Sequence, residues 1–148
     1  MIPAERGFDH WFGYLQGAED YYAHTDGCGG GTGLDLREDA EPSWGHAGNY
    51  STYMYTSRIV NDIHTHVGTH GTGQNATPMF AYIAYQAVHA PLEAPAEAIA
   101  KFSQIQDKNR RIYAAMLYLL DEGVGNITAA LEDTGLMASS VVCFSSGE

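Results

Sequence analysis

Apolar positions Tyr55, Ile59 and Ile63 recur every four residues, a spacing that predicts a helix starting near Ser51 and running to about residue 66. A second periodic stretch covers 107–133, where Tyr113, Leu117, Leu120, Val124, Ile127 and Leu131 form one apolar stripe that reads as core. Asp107 is its expected N-cap and Gly135 its expected stop. Gly123 and Gly125 weaken the middle of this helix by about 1 kcal/mol each relative to Ala. Two runs are continuously apolar instead: Met79 to Tyr85, and Val141 to Phe144. Such runs fit strands covered on both faces. The order helix, strand, helix, strand then predicts a right-handed β-α-β crossover in a mostly parallel sheet, an α/β fold.

The stretches between are rich in turn-forming residues. Residues 7–22 interleave Gly with aromatics and end in the acidic Glu19-Asp20-Tyr21-Tyr22. Residues 25–48 carry seven Gly and one Pro and read as a long loop, with a brief strand at Leu34-Asp35-Leu36. Residues 67–78 read as loop again. The run at 79–85 ends in Gln86-Ala87-Val88-His89-Ala90-Pro91, and polar residues just past a central strand are where α/β folds place their chemistry.

The chain has 148 residues, one domain's length, and 45% of them are apolar, enough for a core. Its formal net charge of -11 repels phosphate backbones and argues against nucleic-acid binding. No stretch reaches the length of a membrane span, and no apolar run near Met1 reads as a signal peptide. Cys28 and Cys143 make no C-x-x-C pair. Cys143 reads as a small buried core residue, and a Cys28–Cys143 bond is the less favoured reading. Asn49, Asn75 and Asn126 head glycosylation sequons; Pro78 weakens the second, and the third falls in the predicted helix.

Several patterns point more to structure than to chemistry. His64, His66 and His70 are better read as a solvated helix end than as a metal site. Glu19 and Asp20 are adjacent, which does not suit a pair of carboxylates converging on one glycosidic bond. Gly29-Gly30-Gly31-Thr32-Gly33 lacks the ending of a phosphate loop. Arg6 and Asp9 flank a turn at Gly7. His24 follows the Glu19–Tyr22 block and is a weak candidate for the wall of a substrate cleft.

Several blocks together resemble one family. Arg6-Gly7-Phe8-Asp9-His10-Trp11-Phe12-Gly13-Tyr14-Leu15, Glu19-Asp20-Tyr21-Tyr22, Leu34-Asp35-Leu36-Arg37, Tyr50-Ser51-Thr52, Tyr85 through Pro95, Ile105 through Tyr113 and Asp121 through Asn126 follow the order of the type I sulfatases. Within these, the chain is most similar to the arylsulfatase B group, with arylsulfatases I and J. The resemblance implies an alkaline-phosphatase-like α/β fold, with residues 1–148 forming part of the N-terminal catalytic domain. It implies a hydrolase of sulfuric esters, of the N-acetylgalactosamine-4-sulfatase kind. The implied cofactors are a formylglycine made from Cys in a C-x-P-x-R motif by the formylglycine-generating enzyme, and calcium held by Asp and Asn. The implied substrate is a sulfate ester, including sulfated glycans, in a lysosomal or secreted setting.

Of that machinery only His89 is matched, as the strand-end His that contacts the sulfate or leaving-group oxygen. Cys28 precedes Gly29-Gly30 and Cys143 precedes Phe144-Ser145, so neither stands in C-x-P-x-R. Phe144-Ser145 is followed by Ser146-Gly147-Glu148 where the family has its metal-binding Asp-Asn. The 148 residues are therefore expected to be inactive alone. The alternatives are a sulfatase-like chain with a binding role, or a partial product with no independent function and poor solubility.

Overall fold

A computed structural model describes residues 2–28, 31–73 and 75–146. Gly29, Gly30 and the side chain of Cys28 lie outside the described residues, and with them any account of Cys28 pairing. The first half is built from short antiparallel pieces. Strand β1 (Phe12–Gly13) pairs with β4 (Arg37–Glu38), which pairs with β5 (Glu41–Pro42). Strands β2 (Thr25–Cys28) and β3 (Gly31–Leu34) pair with each other. The expected long loop at 25–48 is thus partly sheet, and the strand expected at 34–36 lies two to three residues earlier. Leu36 is fully buried all the same.

Three α-helices follow among the described residues: α1 (Ser51–His70), α2 (Ala96–Ala100) and α3 (Lys108–Asp133). Helix α1 starts where the periodicity places it but continues four residues further, through Gly68 to His70. Asp107 caps α3 by accepting the Arg110 backbone N–H at 2.7 Å, and Gly135 follows in the left-handed conformation at φ 77. The core gathers Tyr21, Tyr50, Ala98, Ala115, Met116 and Leu119.

The buried stripe of α3 corrects the sequence reading. Its buried residues are Ala115, Met116, Leu119, Gly123 and Ala130. The predicted stripe lies one residue further on, about 100° around the helix, and there Tyr113 and Leu117 are exposed. Both stripes are apolar enough to satisfy the periodicity, and neighbouring elements select between them. Small residues on the chosen stripe let α1 and α3 approach. A Cβ on Gly123 would stand 2.7 Å from Thr56 Oγ1 and 2.9 Å from the Tyr85 hydroxyl. Thr56 donates to the Thr52 carbonyl at 2.7 Å, so the Tyr85 hydroxyl, 2.7 Å away, donates to Thr56.

The parallel sheet expected from 79–85 and 141–144 does not form among the described residues. Both segments are non-helical and unpaired, and Phe80, Tyr82, Val141 and Phe144 are largely exposed. A strand needs a neighbour to receive its N–H and C=O groups, and no described strand pairs with these two. Cys143, expected in the core, is a free and exposed thiol for the same reason.

The two glycines of α3 therefore have opposite expected effects. Gly123→Ala should destabilise the chain by about 1–3 kcal/mol, because the methyl has no room. Gly125 has nothing within 4 Å of a Cβ, so Gly125→Ala should stabilise by about 0.5–1 kcal/mol. Urea unfolding of the two variants beside the parent chain checks both signs.

Candidate functional site

His89 sits on the turn that follows the extended 79–85 segment, with its side chain exposed. Its backbone N–H donates to the Gln86 carbonyl at 2.9 Å, and its carbonyl accepts the Tyr21 hydroxyl at 2.9 Å. The Ala87–Val88 and Ala90–Pro91 peptide bonds on either side are cis. Ring atom Nδ1 lies 2.8 Å from the Ala90 carbonyl. A carbonyl only accepts, so Nδ1 carries a hydrogen. Nε2 is then an acceptor in the neutral ring and a donor in a protonated one.

Beneath His89 the turn is held from two sides. Ser51, the first residue of α1, donates its hydroxyl to Gln86 Oε1 at 3.0 Å. Gln86 Nε2 donates in turn to the Glu19 carbonyl. Further along, Glu93 accepts the Tyr21 backbone N–H at 3.0 Å, and the Tyr50 hydroxyl donates to the Glu93 carbonyl at 2.9 Å. Tyr21 and Tyr50 stack with centroids 5.3 Å apart. Burial holds both phenols well above their ordinary pKa, so each stays a donor across the physiological range.

His24 lies elsewhere. Its side chain is fully buried, Nε2 is 3.2 Å from the His46 carbonyl, and Nδ1 is 3.5 Å from the equally buried Glu19 carboxylate. The Tyr55 hydroxyl donates to that carboxylate at 2.8 Å, and burial together with Glu19 raises the Tyr55 pKa. One groove, of about 970 Å³, runs along Phe8, Trp11, Tyr55, Phe80 and Tyr82, and another of about 670 Å³ is lined by Phe12, His46, Tyr53 and Arg58. Neither is lined by His24 or His89. The geometry makes His24 an internal support rather than part of a cleft wall.

Other expectations fall out similarly. Glu19 is buried and Asp20 is half-buried with its Oδ1 accepting the Tyr22 and Ala23 N–H groups, so the two carboxylates face different surroundings. His66 and His70 lie together near the end of α1, with rings 4.8 Å apart and His66 Nε2 2.9 Å from the Thr77 carbonyl. Among the described residues no three His, Cys, Asp or Glu side chains converge as a metal ion would require. The described residues therefore do not fit the calcium that the resemblance implies, and neither cysteine stands in the motif that formylglycine requires. The anchors Gln86, Glu93, Tyr21 and Tyr50 were not singled out as site residues from sequence. Their only signal was their place in the blocks at 19–22, 50–52 and 85–95.

The sulfatase family model matches residues 2–148. The chain belongs to the sulfatase family. It is 43% identical to arylsulfatase J of Mus musculus over 147 residues, which is 98% of this chain and 23% of that protein. Among solved structures it is similar to Ps i-CgsB, with a TM-score of 0.76 and 29% identity over 90% of this chain and 31% of that one. The same protein in complex with k-i-k-neocarrahexaose gives a TM-score of 0.73 at 27% identity, with the same coverage. These likenesses establish the alkaline-phosphatase-like α/β fold of sulfatases. This sulfatase chain spans under a third of the length of each relative.

Gln86 is the residue on which the His89 turn rests. Gln86→Leu leaves the Ser51 hydroxyl and the Glu19 carbonyl without their buried partner. It should cost roughly 1–3 kcal/mol for each group left unpaired, read as a lowered urea midpoint with an unchanged m-value.

Proposed function

We propose that these residues form the His89 side of the active site of a sulfuric ester hydrolase of the arylsulfatase B, I and J group. The observation that carries the reading is His89 itself: an exposed imidazole on a braced turn, with Nδ1 engaged on a carbonyl and Nε2 left to exchange a proton. In a chain with these relatives, Nε2 is suited to hydrogen-bond a sulfate oxygen and, when protonated, to donate to the departing ester oxygen. Gln86, Tyr21 and the core tyrosines would fix where that donor stands. The proposed substrate is a sulfate ester, and the neocarrahexaose bound by the Ps i-CgsB relative supports a sulfated sugar. A formylglycine and a calcium ion would supply the nucleophile and charge neutralisation in such an enzyme, and no step of either kind is assigned to these residues.

Family kinship supports a lysosomal or secreted setting, in which the exposed Asn49, Asn75 and Asn126 are the proposed glycosylation positions. No helix among the described residues is long and apolar enough to cross a membrane. The second reading is a non-catalytic sulfatase-like chain. For such a chain the net charge of -11 opposes a sulfated polymer as the ligand.

In the complete gene product, His89→Ala should lower kcat for an aryl sulfate by about 10²–10⁴-fold, the usual range for a general acid. The 148-residue chain by itself should release no sulfate. An unchanged kcat in the variant would remove His89 from the chemistry, and an inactive complete product would favour the second reading.

A further inference from the structure

Helix α1 ends in His64-Thr65-His66-Val67-Gly68-Thr69-His70. Histidines four apart lie on one face of a helix, and the later side chain leans back over the earlier one. His66 and His70 meet in this way, with ring centres 4.8 Å apart and planes at 41°. A divalent cation sits about 2.0–2.1 Å from an imidazole nitrogen and so roughly 3.2 Å from the ring centre, which puts the centres of two rings on one cation about 4.5–5.2 Å apart in right-angled or tetrahedral geometry. The observed 4.8 Å falls inside that window.

A backbone carbonyl prepares His66 for such a role. The Ala76 N–H donates to the Gly73 carbonyl at 3.1 Å, and the turn this closes returns Thr77 to the side of α1. There the Thr77 carbonyl lies 2.9 Å from His66 Nε2. A carbonyl only accepts, so Nε2 carries the hydrogen and the lone pair of the neutral ring is on Nδ1. A carbonyl on the far ring nitrogen is the usual partner of a metal-ligating His, because it fixes the tautomer and makes the other nitrogen a stronger ligand. His70 is the last residue of α1, where unpaired carbonyls and the negative end of the helix dipole favour a cation. Both side chains line the groove of about 970 Å³, so an ion held by them has open space on its other side.

We propose that His66 and His70 form an open two-imidazole site for a borderline divalent metal ion, copper(II), nickel(II) or zinc(II), with water in its remaining positions. Imidazole selects these ions over calcium and magnesium, which take oxygen ligands. The site is separate in chemistry from the calcium that the resemblance implies, and it does not rest on the sulfatase reading. It is exchangeable rather than closed. No third His, Cys, Asp or Glu joins the pair among the described residues, and Asp62, one turn before His66, is held by Arg58 at 3.1 Å. Two residues four apart converge on one ion only while α1 is helical, so the ion binds the folded chain in preference to the unfolded one. At roughly a hundredfold excess over its Kd it should raise the folding equilibrium constant about a hundredfold. His64 is exposed and two positions away, off the face that carries the pair.

The test is urea unfolding of the 148-residue chain in a non-coordinating buffer at constant ionic strength. It is run metal-free, with nickel(II) chloride, with calcium chloride at the same concentration, and with nickel plus EDTA. Nickel should raise the midpoint, EDTA should return it, and calcium should leave it at the metal-free value. H70A removes an exposed ring, so it should keep the metal-free midpoint and helix signal while its nickel affinity falls about tenfold or more. H64A should respond to nickel as the parent does. One equivalent of copper(II) should show electron paramagnetic resonance couplings from two imidazole nitrogens in the parent and from one in H70A. A nickel response that survives H70A, or that H64A loses equally, would put the metal elsewhere and overturn the proposal. No response in the parent would also overturn it and reduce the pair to a ring contact at a helix end. None of these results bears on whether the complete product hydrolyses sulfate esters.

Discussion

The side-chain amide of Gln86 is the interaction on which the arrangement depends. It spans from the first residue of α1 to the backbone of the 19–24 stretch, accepting from Ser51 and donating to the Glu19 carbonyl. An amide is suited to this because it offers donor and acceptor at fixed separation and titrates at neither end. Buried polar groups are costly unless paired, and Gln86 pairs one group on each side. Three residues later stands His89, so the brace under the turn is also the brace under the proposed acid.

The packing around the brace is more polar than periodicity implies. The deeply buried residues of α1 are Ser51, Thr52, Thr56 and Ile63, of which three bear hydroxyls. Thr56 and Tyr85 share a hydrogen bond at the point where Gly123 lets α3 come close. Tyr21 and Tyr50 add stacked rings whose hydroxyls serve the same 86–95 segment. Aromatic residues thus supply both the apolar burial and the directional donors that locate the turn.

Element existence was legible in the sequence where the signal is local. Asp107 before a long periodic run and Gly135 after it bound α3 to within a residue, because capping and left-handed backbone are properties of a few neighbouring residues. The start of α1 was equally clear. The face of α3 was not: two apolar stripes coexist, and the choice depends on where small residues meet Thr56 and Tyr85. The short antiparallel strands at 25–42 were hidden because pairing between glycine-rich pieces leaves no alternation to read. Strands at 79–85 and 141–144 were expected from composition, but a strand is a relation between segments and these two have no partner among the described residues.

For the site, sequence alone picked out His89, through the strand-end block it shares with the sulfatases, and the family assignment itself. It determined the two long helices, though not the short α2, and the acidic charge and the chemistry the residues can offer, since these follow from side-chain type and local spacing. Only the tertiary structure decided that His24 is buried, that Nδ1 of His89 is engaged, and that the Tyr21 N–H meets the Glu93 carboxyl across 72 positions of chain. Those facts depend on which distant groups burial brings within a few ångströms, and no local pattern encodes them.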